Sequence, residues 1–243
     1  MLAIYWKEIT AFFSSLIAYI VIVTFLVATG LFVWILPTNV LDEGYATLSP
    51  LFEIGPWVFM FLIPAITMRS FAEEKKTGTF EILATKPITE WKIVLAKYFA
   101  GLTLVFFALI PTFFYVYAIN QLASPVGNVD MAAIWGSYLG LLLLGGAYVS
   151  IGIFASSITD NQIVGFIAGA FLCFVFFALF EFIRDFNFLN FTDVLLEKLS
   201  IQTYYASLSR GVIDVKDVVY FFSLSGIFLS LAKFLISAAK WRA

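Results

Sequence analysis

Long stretches without any charged side chain are the feature that most constrains this chain. The longest of them exceed the roughly 20 apolar residues that a helix needs to cross the hydrocarbon core of a bilayer. Only 12% of the 243 residues are charged and the mean hydropathy is +0.99, which leaves too little charge to cover a soluble core. The six long uncharged runs are Ile9–Leu41, Ile54–Met68, Tyr98–Val129, Met131–Thr159, Asn161–Phe180 and Val218–Ala232.

Two of these runs are short, but each extends past a single charge at its edge, past Glu53 in one case and past Lys233 in the other. The pattern therefore predicts an all-α, polytopic membrane protein with six transmembrane helices. The run that begins at Ile9 is too long for a cleavable signal peptide and no small-residue cleavage site follows it. We expect it to remain as the first helix of one transmembrane domain, residues 1–243.

The distribution of basic residues predicts the orientation, because Lys and Arg accumulate in short loops on the cytoplasmic side. Segment 69–97 holds six of them, whereas the loops 37–50 and 120–130 hold none. Both termini and the loop between helices two and three are therefore predicted to be cytoplasmic. Segment 181–217 is predicted to lie outside, yet it carries four basic and six acidic residues, which argues mildly against this orientation.

Two segments beside the spans are predicted to lie at the membrane surface. Residues 1–14 place Lys7 and Glu8 among aromatic side chains, which suits a short helix in the headgroup layer. Residues 185–214 alternate apolar groups with single charges, which indicates short extracytoplasmic helices. The alternative for the second segment is a partly buried loop packed on the helix ends.

Glycines at close-packing spacing occur in helices four and five, at Gly136 and Gly140 and at Gly165 and Gly169. Small side chains at this spacing let helix backbones approach each other in membranes. We expect these glycines to serve packing within one subunit, with a dimer interface as the alternative.

Several kinds of chemistry are excluded by composition. The chain has no His, one Cys (Cys173) and no nucleotide-binding P-loop motif, so His-dependent triads, His-based zinc sites and Walker-type nucleotide binding are absent. A net charge of −2 gives no nucleic-acid footprint. No charge lies near the middle of spans three to six, which weighs against a midplane ion relay. Glu181 and Arg184 are three residues apart at the outer end of span five and are predicted to pair.

The residues of the long polar segment 69–97 predict the order of its structural elements. Helix two is predicted to continue to about Lys76 and to end at Gly78, because glycine accepts backbone angles that a helix interior disfavours. A short helix over Thr79–Thr85 then projects into the cytoplasm, and Pro87 ends it. Thr89 is predicted to cap the next helix. The alternative is an ordinary cytoplasmic loop that obeys the charge rule.

This segment resembles the permeases of ABC-2 type transporters. In that family a Glu-x-x-x-Gly-Thr-x-Glu-x-Leu run between the second and third spans is followed by Pro and then by a Lys that enters helix three. Segment 156–162 and the Lys7-Glu8 pair also resemble the family. Residues 210–214 resemble one branch of it, which includes the gliding-motility-associated permease GldF and the copper-site-assembly permease NosY, and residues 64–71 look like the GldF subgroup. The central matching residues are Glu74, Gly78, Thr79, Glu81, Leu83, Pro87 and Lys97.

The resemblance implies a type V exporter-like permease fold in a bacterial inner membrane. It implies a permease subunit that exports or extracts a substrate, with gliding motility as a linked process. ATP and Mg²⁺ would bind to a separate ABC ATP-binding subunit, and this chain would hold no cofactor, metal or catalytic group. A second permease subunit, identical or paralogous, would complete the membrane part, with no nucleic acid involved.

The resemblance also implies two cytoplasmic contacts with the ATP-binding subunit. The short helix between Gly78 and Pro87 would be the coupling helix, and a loop between spans four and five would be a smaller second contact. Two other functions remain open from the residues: an ATP-driven membrane scaffold that does mechanical work, and an ion-coupled secondary transporter. The predicted contact residues are Glu73, Glu74, Gly78, Thr79, Phe80, Glu81, Leu83 and Pro87 in the first contact, and Ser157, Thr159, Asp160 and Asn161 in the second.

Overall fold

The computed structural model describes residues 1–37, 39–84, 88–185 and 198–240, and within these residues it contains helices and no β-strand. A 3₁₀ turn at Ile110–Thr112 and a π-helical turn at Val175–Leu179 interrupt two of the long helices. The α-helices are α1 (Leu2–Ser14), α2 (Leu16–Trp34), α3 (Val40–Glu43), α4 (Ser49–Thr67), α5 (Arg69–Lys76), α6 (Thr79–Ala84), α7 (Glu90–Leu109), α8 (Phe113–Leu122), α9 (Met131–Ile158), α10 (Gln162–Phe174), α11 (Phe180–Asp185), α12 (Ile201–Leu208) and α13 (Val215–Lys240).

Six helical stretches in the described part of the chain are long and apolar enough to cross a bilayer, which confirms the predicted number of spans and the all-α class. An even number of spans places the two ends of this chain on the same side of the membrane. Spans one to six are Leu16–Trp34, Ser49–Lys76, Glu90–Leu122, Met131–Ile158, Gln162–Arg184 and Val215–Ala239.

The first uncharged run is divided at Ser15, which has an extended backbone (φ −99°, ψ 151°) and separates α1 from α2. The helix α1 is therefore a separate element, and span one begins only at Leu16. Its placement in the headgroup layer stays a prediction.

Span four is the centre of the bundle. In an apolar stretch of 18 residues within this span, 78% of the residues are buried, whereas the corresponding share in spans one and five is 28%. The helix α9 packs against α4, α7, α10 and α13. Close approach depends on its glycines: a Cβ added at Gly152 would lie 2.0 Å from Thr67 Oγ1, and one at Gly140 would lie 2.7 Å from Leu208 Cβ. These contacts are within the subunit, as expected for Gly140.

The helix α12 is fixed to the bundle by side-chain hydrogen bonds to backbone carbonyls. Pro56 lies inside α4 and has no amide hydrogen, so the carbonyl of Phe52 one turn earlier lacks its usual donor. The buried hydroxyl of Tyr205 donates to that carbonyl at 2.6 Å. After α12, the hydroxyl of Ser137 donates to the carbonyl of Ser209 at 2.8 Å. Helix α12 lies within the predicted extracytoplasmic segment 185–214.

The prediction that Thr89 caps α7 with its side chain was wrong. Thr89 occupies the N-cap position with the expected extended backbone (φ −71°, ψ 142°), but its side chain makes no capping hydrogen bond. The amide of Lys92 instead donates a hydrogen bond to the Thr89 carbonyl at 2.9 Å. Thr89 itself is exposed.

Candidate functional site

The segment between spans two and three forms a helix–turn–helix projection beyond the end of α4. The helix α5 ends at Lys76, and Gly78 follows in the left-handed conformation (φ +70°) that closes many helices. The amide of Gly78 bonds the carbonyl of Lys75 at 3.2 Å, and the Gly78 carbonyl accepts from the amide of Glu81 at 3.3 Å. The chain therefore turns at Gly78 directly into α6, the predicted coupling helix.

The structure divides the predicted coupling residues into exposed and buried side chains. Glu73, Thr79 and Glu81 are exposed. Phe80 and Glu74 are only 7% and 9% exposed because they pack inside the chain. The exposed group can contact a partner directly in this conformation, whereas the buried pair supports the projection from within. The predicted role of the Leu83 side chain, the end of the short helix at Thr85 and the predicted stop at Pro87 lie outside what the structure describes.

A cluster of four charged side chains, which we call the buried ion cluster, ties this projection to the bundle. Its members are the buried Glu8, Glu74 and Lys97 and the exposed Lys7, which come from α1, α5 and α7. The Nζ of Lys97 lies 2.8 Å from Glu8 Oε1 and 3.0 Å from Glu74 Oε1, and its side chain is only 1% exposed. Lys7 Nζ donates to the same Glu74 oxygen at 2.7 Å.

Lys97 is satisfied on all sides, as a buried ammonium requires. Besides the two carboxylates, its Nζ donates to the carbonyl of Ser70 at 2.6 Å and lies 4.9 Å from the centre of the Phe71 ring. Burial lowers the pKa of Lys7, but the hydrogen bond to Glu74 and the charges of Glu74 and Glu8 outweigh burial and raise that pKa above its ordinary value. Lys7 is therefore protonated at neutral pH.

Ser156 from the end of α9 forms a second connection, at the junction of α4 and α5. Its hydroxyl accepts hydrogen bonds from the amides of Phe71 at 3.0 Å and Ala72 at 3.1 Å, and it donates to the carbonyl of Met68 at 2.8 Å. The first amides of a helix lack partners within that helix. The side chain of span four therefore caps α5 and interrupts the backbone ladder of span two.

The predicted second contact lies beside this junction. Ser157 is buried and its carbonyl accepts a hydrogen bond from Lys75, so its backbone holds α5. Asp160 and Asn161 are exposed, and Thr159 is half-buried. The side chain of Asn161 accepts from the amide of Ile163 at 3.0 Å and caps α10. The two predicted contacts are thus brought to the same end of the bundle.

A cavity of about 640 Å³ separates the coupling helix from the bundle at this end. Its walls include Phe80 and Glu81 of α6, Ile158 at the end of α9, and Phe234 and Ala238 of α13. The last span therefore contributes to the surface beside α6, a contact that the sequence did not predict.

At the opposite end, Arg184 donates to Glu181 at 3.0 Å, so these two residues pair on one helix face.

In the described part of the chain no group of three His, Cys, Asp or Glu residues is arranged to hold a metal ion. The site therefore offers ion pairs and hydrogen bonds that join helices, and a projecting surface.

Sequence reasoning missed the partners of Glu74. The Lys7-Glu8 pair was assigned to a surface helix and to a resemblance, Lys97 to the basic segment 69–97 and to the same resemblance, and Ser156 to segment 156–162. None of them was predicted to contact the α5 helix. A weak signal for Lys97 was its position directly before an uncharged run, where a charge has to find partners as the chain enters the membrane.

The comparison with protein families gives a match that includes the segment between spans two and three. A family model described as an ABC-2 family transporter protein matches residues 39–195, which is more than half of the chain. A search of curated proteins gives no match. With the six apolar spans and the projecting segment between spans two and three, this match shows that the chain belongs to the ABC-2 family of transporter membrane proteins.

Proposed function

We propose that this chain couples ATP hydrolysis on a separate ABC ATP-binding subunit to the export or extraction of a substrate, with α6 as the principal contact. The observation that carries the proposal is the attachment of α6. It follows α5 through the Gly78 turn, and α5 is bonded to three other helices by the buried ion cluster and Ser156. ATP and Mg²⁺ would bind on the partner, because this chain has no P-loop.

The attachment gives α6 a mechanical path to the membrane. Lys97 belongs to span three, Ser156 to span four, and Glu8 to the helix that precedes span one. A force on α6 therefore reaches spans three and four and the helix α1 through short, buried bonds. We expect two states of the transporter, and the nucleotide shifts their balance only by its different affinity for each.

The exposed face of the projection defines the partner surface we expect. Glu73 and Glu81 are exposed on either side of the Gly78 turn, and Asp160 is exposed at the second contact. Lys76 is exposed on the same projection, so among the described residues the exposed charges of the two contacts are three acidic and one basic. A net negative surface favours a partner of positive charge. We therefore expect basic side chains on the facing surface of the ATP-binding subunit.

The test is Glu81→Lys in the full chain, expressed with its ATP-binding subunit and purified through a tag on that subunit. We expect at least a tenfold loss of co-purified membrane chain. Glu53→Lys is the matched control, because Glu53 is also exposed but lies near the start of span two, at the end predicted to face outward. Undiminished association of the Glu81→Lys chain, or equal loss with Glu53→Lys, would refute the docking role.

We further propose a second permease subunit, identical or paralogous, and a place in a bacterial inner membrane. Residues 64–71 and 210–214 support the branch of the gliding-motility-associated permease, with gliding motility as the linked process. Neighbouring genes test this part: an adjacent ATP-binding subunit supports the pairing, and adjacent gliding genes support the branch. A chain encoded among unrelated genes, with no effect of its deletion on gliding, would contradict it.

A further inference from the structure

A cavity of about 300 Å³ lies where α1, α5 and α7 meet, beside the buried ion cluster. Its residues Arg69 and Lys97 border the uncharged runs of spans two and three on the predicted cytoplasmic side, so we expect the cavity at the level of the lipid headgroups. One wall is apolar and comes from Phe12, Ile17 and Ile66. A cavity with a polar end at headgroup level and an apolar wall toward the membrane has the shape that a bound phospholipid requires.

Arg69 lines this cavity and lacks a partner. Among the described residues its guanidinium makes no ion pair or hydrogen bond, and its Nε is buried from solvent. Arginine stays charged at all ordinary pH values and presents a planar set of donors that matches a phosphate group. The cavity therefore offers an unused donor that suits a phosphate.

Glu74 supplies a hydrogen-bond acceptor in the same cavity. Its Oε1 is held by Lys7 and Lys97, but its buried Oε2 has no hydrogen-bond partner. A buried carboxylate oxygen normally accepts a hydrogen bond from an N–H or O–H donor. The charges that line the cavity also balance, with three basic and three acidic side chains: Lys7, Arg69 and Lys97 against Glu8, Glu73 and Glu74.

We propose that the cavity binds the zwitterionic phosphoethanolamine headgroup of an inner-leaflet phospholipid. The phosphate accepts from Arg69, and the primary ammonium donates to the free oxygen of Glu74. The acyl chains then follow the apolar wall toward the exposed face of α2, where Leu16 is 77% exposed. A phosphocholine headgroup has no N–H to donate to Glu74, and an anionic phosphoglycerol headgroup brings no cation. This proposal does not depend on the proposed function.

The test is native mass spectrometry of the purified full chain in detergent, with three phospholipids of equal chain length added at equal concentration. The lipids carry phosphoethanolamine, phosphocholine or phosphoglycerol headgroups. We expect the first to be retained at least fivefold more than either of the others. Soluble phosphoethanolamine without acyl chains is a separate arm, and we expect it to displace little of the bound lipid at equal concentration.

Arg69→Gln should abolish this preference, and Arg210→Gln should leave it intact. Arg210 is the matched control because it is exposed and does not line the cavity. Equal retention of the three lipids by the unmodified chain would overturn the proposal without any variant. An unchanged preference in Arg69→Gln, or equal loss in both variants, would also overturn it, and full displacement by the soluble headgroup would show a small-anion site instead of a lipid site.

Discussion

The Nζ of Lys97 lies 2.8 Å from Oε1 of Glu8, although the two residues are 89 positions apart in the chain. This contact joins the helix that precedes span one to the start of span three, in a place where the Lys97 side chain is 1% exposed. Glu74 shares the same ammonium at 3.0 Å. The element that carries the coupling helix is thus bound to two other helices through one buried cation.

Replacing Lys97 by Met should leave Glu8 and Glu74 buried without their main cation. Removing one partner of a buried ion pair typically costs about 3–5 kcal/mol, because the remaining charge stays uncompensated. We expect a loss of unfolding free energy of that size, measured by denaturant titration in mixed micelles. Lys92→Met is the control, since Lys92 is exposed on the same helix, and an equal loss in both variants would contradict a special role for Lys97.

Replacing Ser156 by Ala should loosen the junction of α4 and α5. The amides of Phe71 and Ala72 and the carbonyl of Met68 would all lose the bonds that the hydroxyl makes. Each buried group left unsatisfied costs about 1–3 kcal/mol. We expect lower thermal stability in detergent and a smaller stimulation of ATP hydrolysis by substrate.

Ser230→Ala is the control for that change. The hydroxyl of Ser230 is exposed and bonds only the Gly226 carbonyl of its own helix, at 2.7 Å. This variant should match the unmodified chain in both measurements. If Ser156→Ala were equally silent, the junction would not depend on the hydroxyl.

Replacing Gly152 by Ala should disturb the contact between spans two and four. The added Cβ would lie 2.0 Å from Thr67 Oγ1 and 2.9 Å from its Cβ, so α4 and α9 would have to move apart. Overpacking of this kind costs about 1–3 kcal/mol. The midpoint of thermal unfolding, followed by size-exclusion chromatography, measures the effect.

Gly226→Ala is the matched substitution. A Cβ at Gly226 would meet nothing within 4 Å, and alanine favours a helix interior over glycine by up to about 1 kcal/mol. Gly226→Ala should therefore be neutral or stabilising. A loss of stability at Gly226 as large as that at Gly152 would show that the effect is not steric.

Replacing Tyr205 by Phe should release the outer helix α12 from span two. The carbonyl of Phe52 would lose its 2.6 Å bond while Pro56 still denies it a backbone donor, at a cost of about 1–3 kcal/mol. We expect faster proteolysis after α12 and reduced stability. Tyr117→Phe, at a site that is 65% exposed, should change neither, and slower cleavage in Tyr205→Phe would contradict the anchoring.

Features that depend on residues close together in the chain were predictable from the sequence. The number of spans follows from uncharged runs, because a helix in lipid satisfies its backbone within itself and only its length and side chains matter. The turn at Gly78 and the pairing of Glu181 with Arg184 are also local, since they depend on one residue's backbone freedom and on helical spacing. The position of the segment 69–97 between two spans is of the same kind.

Tertiary structure alone decided what the charged and polar residues of the site do. The sequence does not tell that Phe80 and Glu74 turn inward, because their burial depends on which helices pack beside α5 and α6. The sequence also does not show that the hydroxyl of Ser156 accepts hydrogen bonds from amides more than 80 positions away. A buried charge is stable only where partners from other helices meet it, and residues 7, 8, 74 and 97 meet only after the spans have packed.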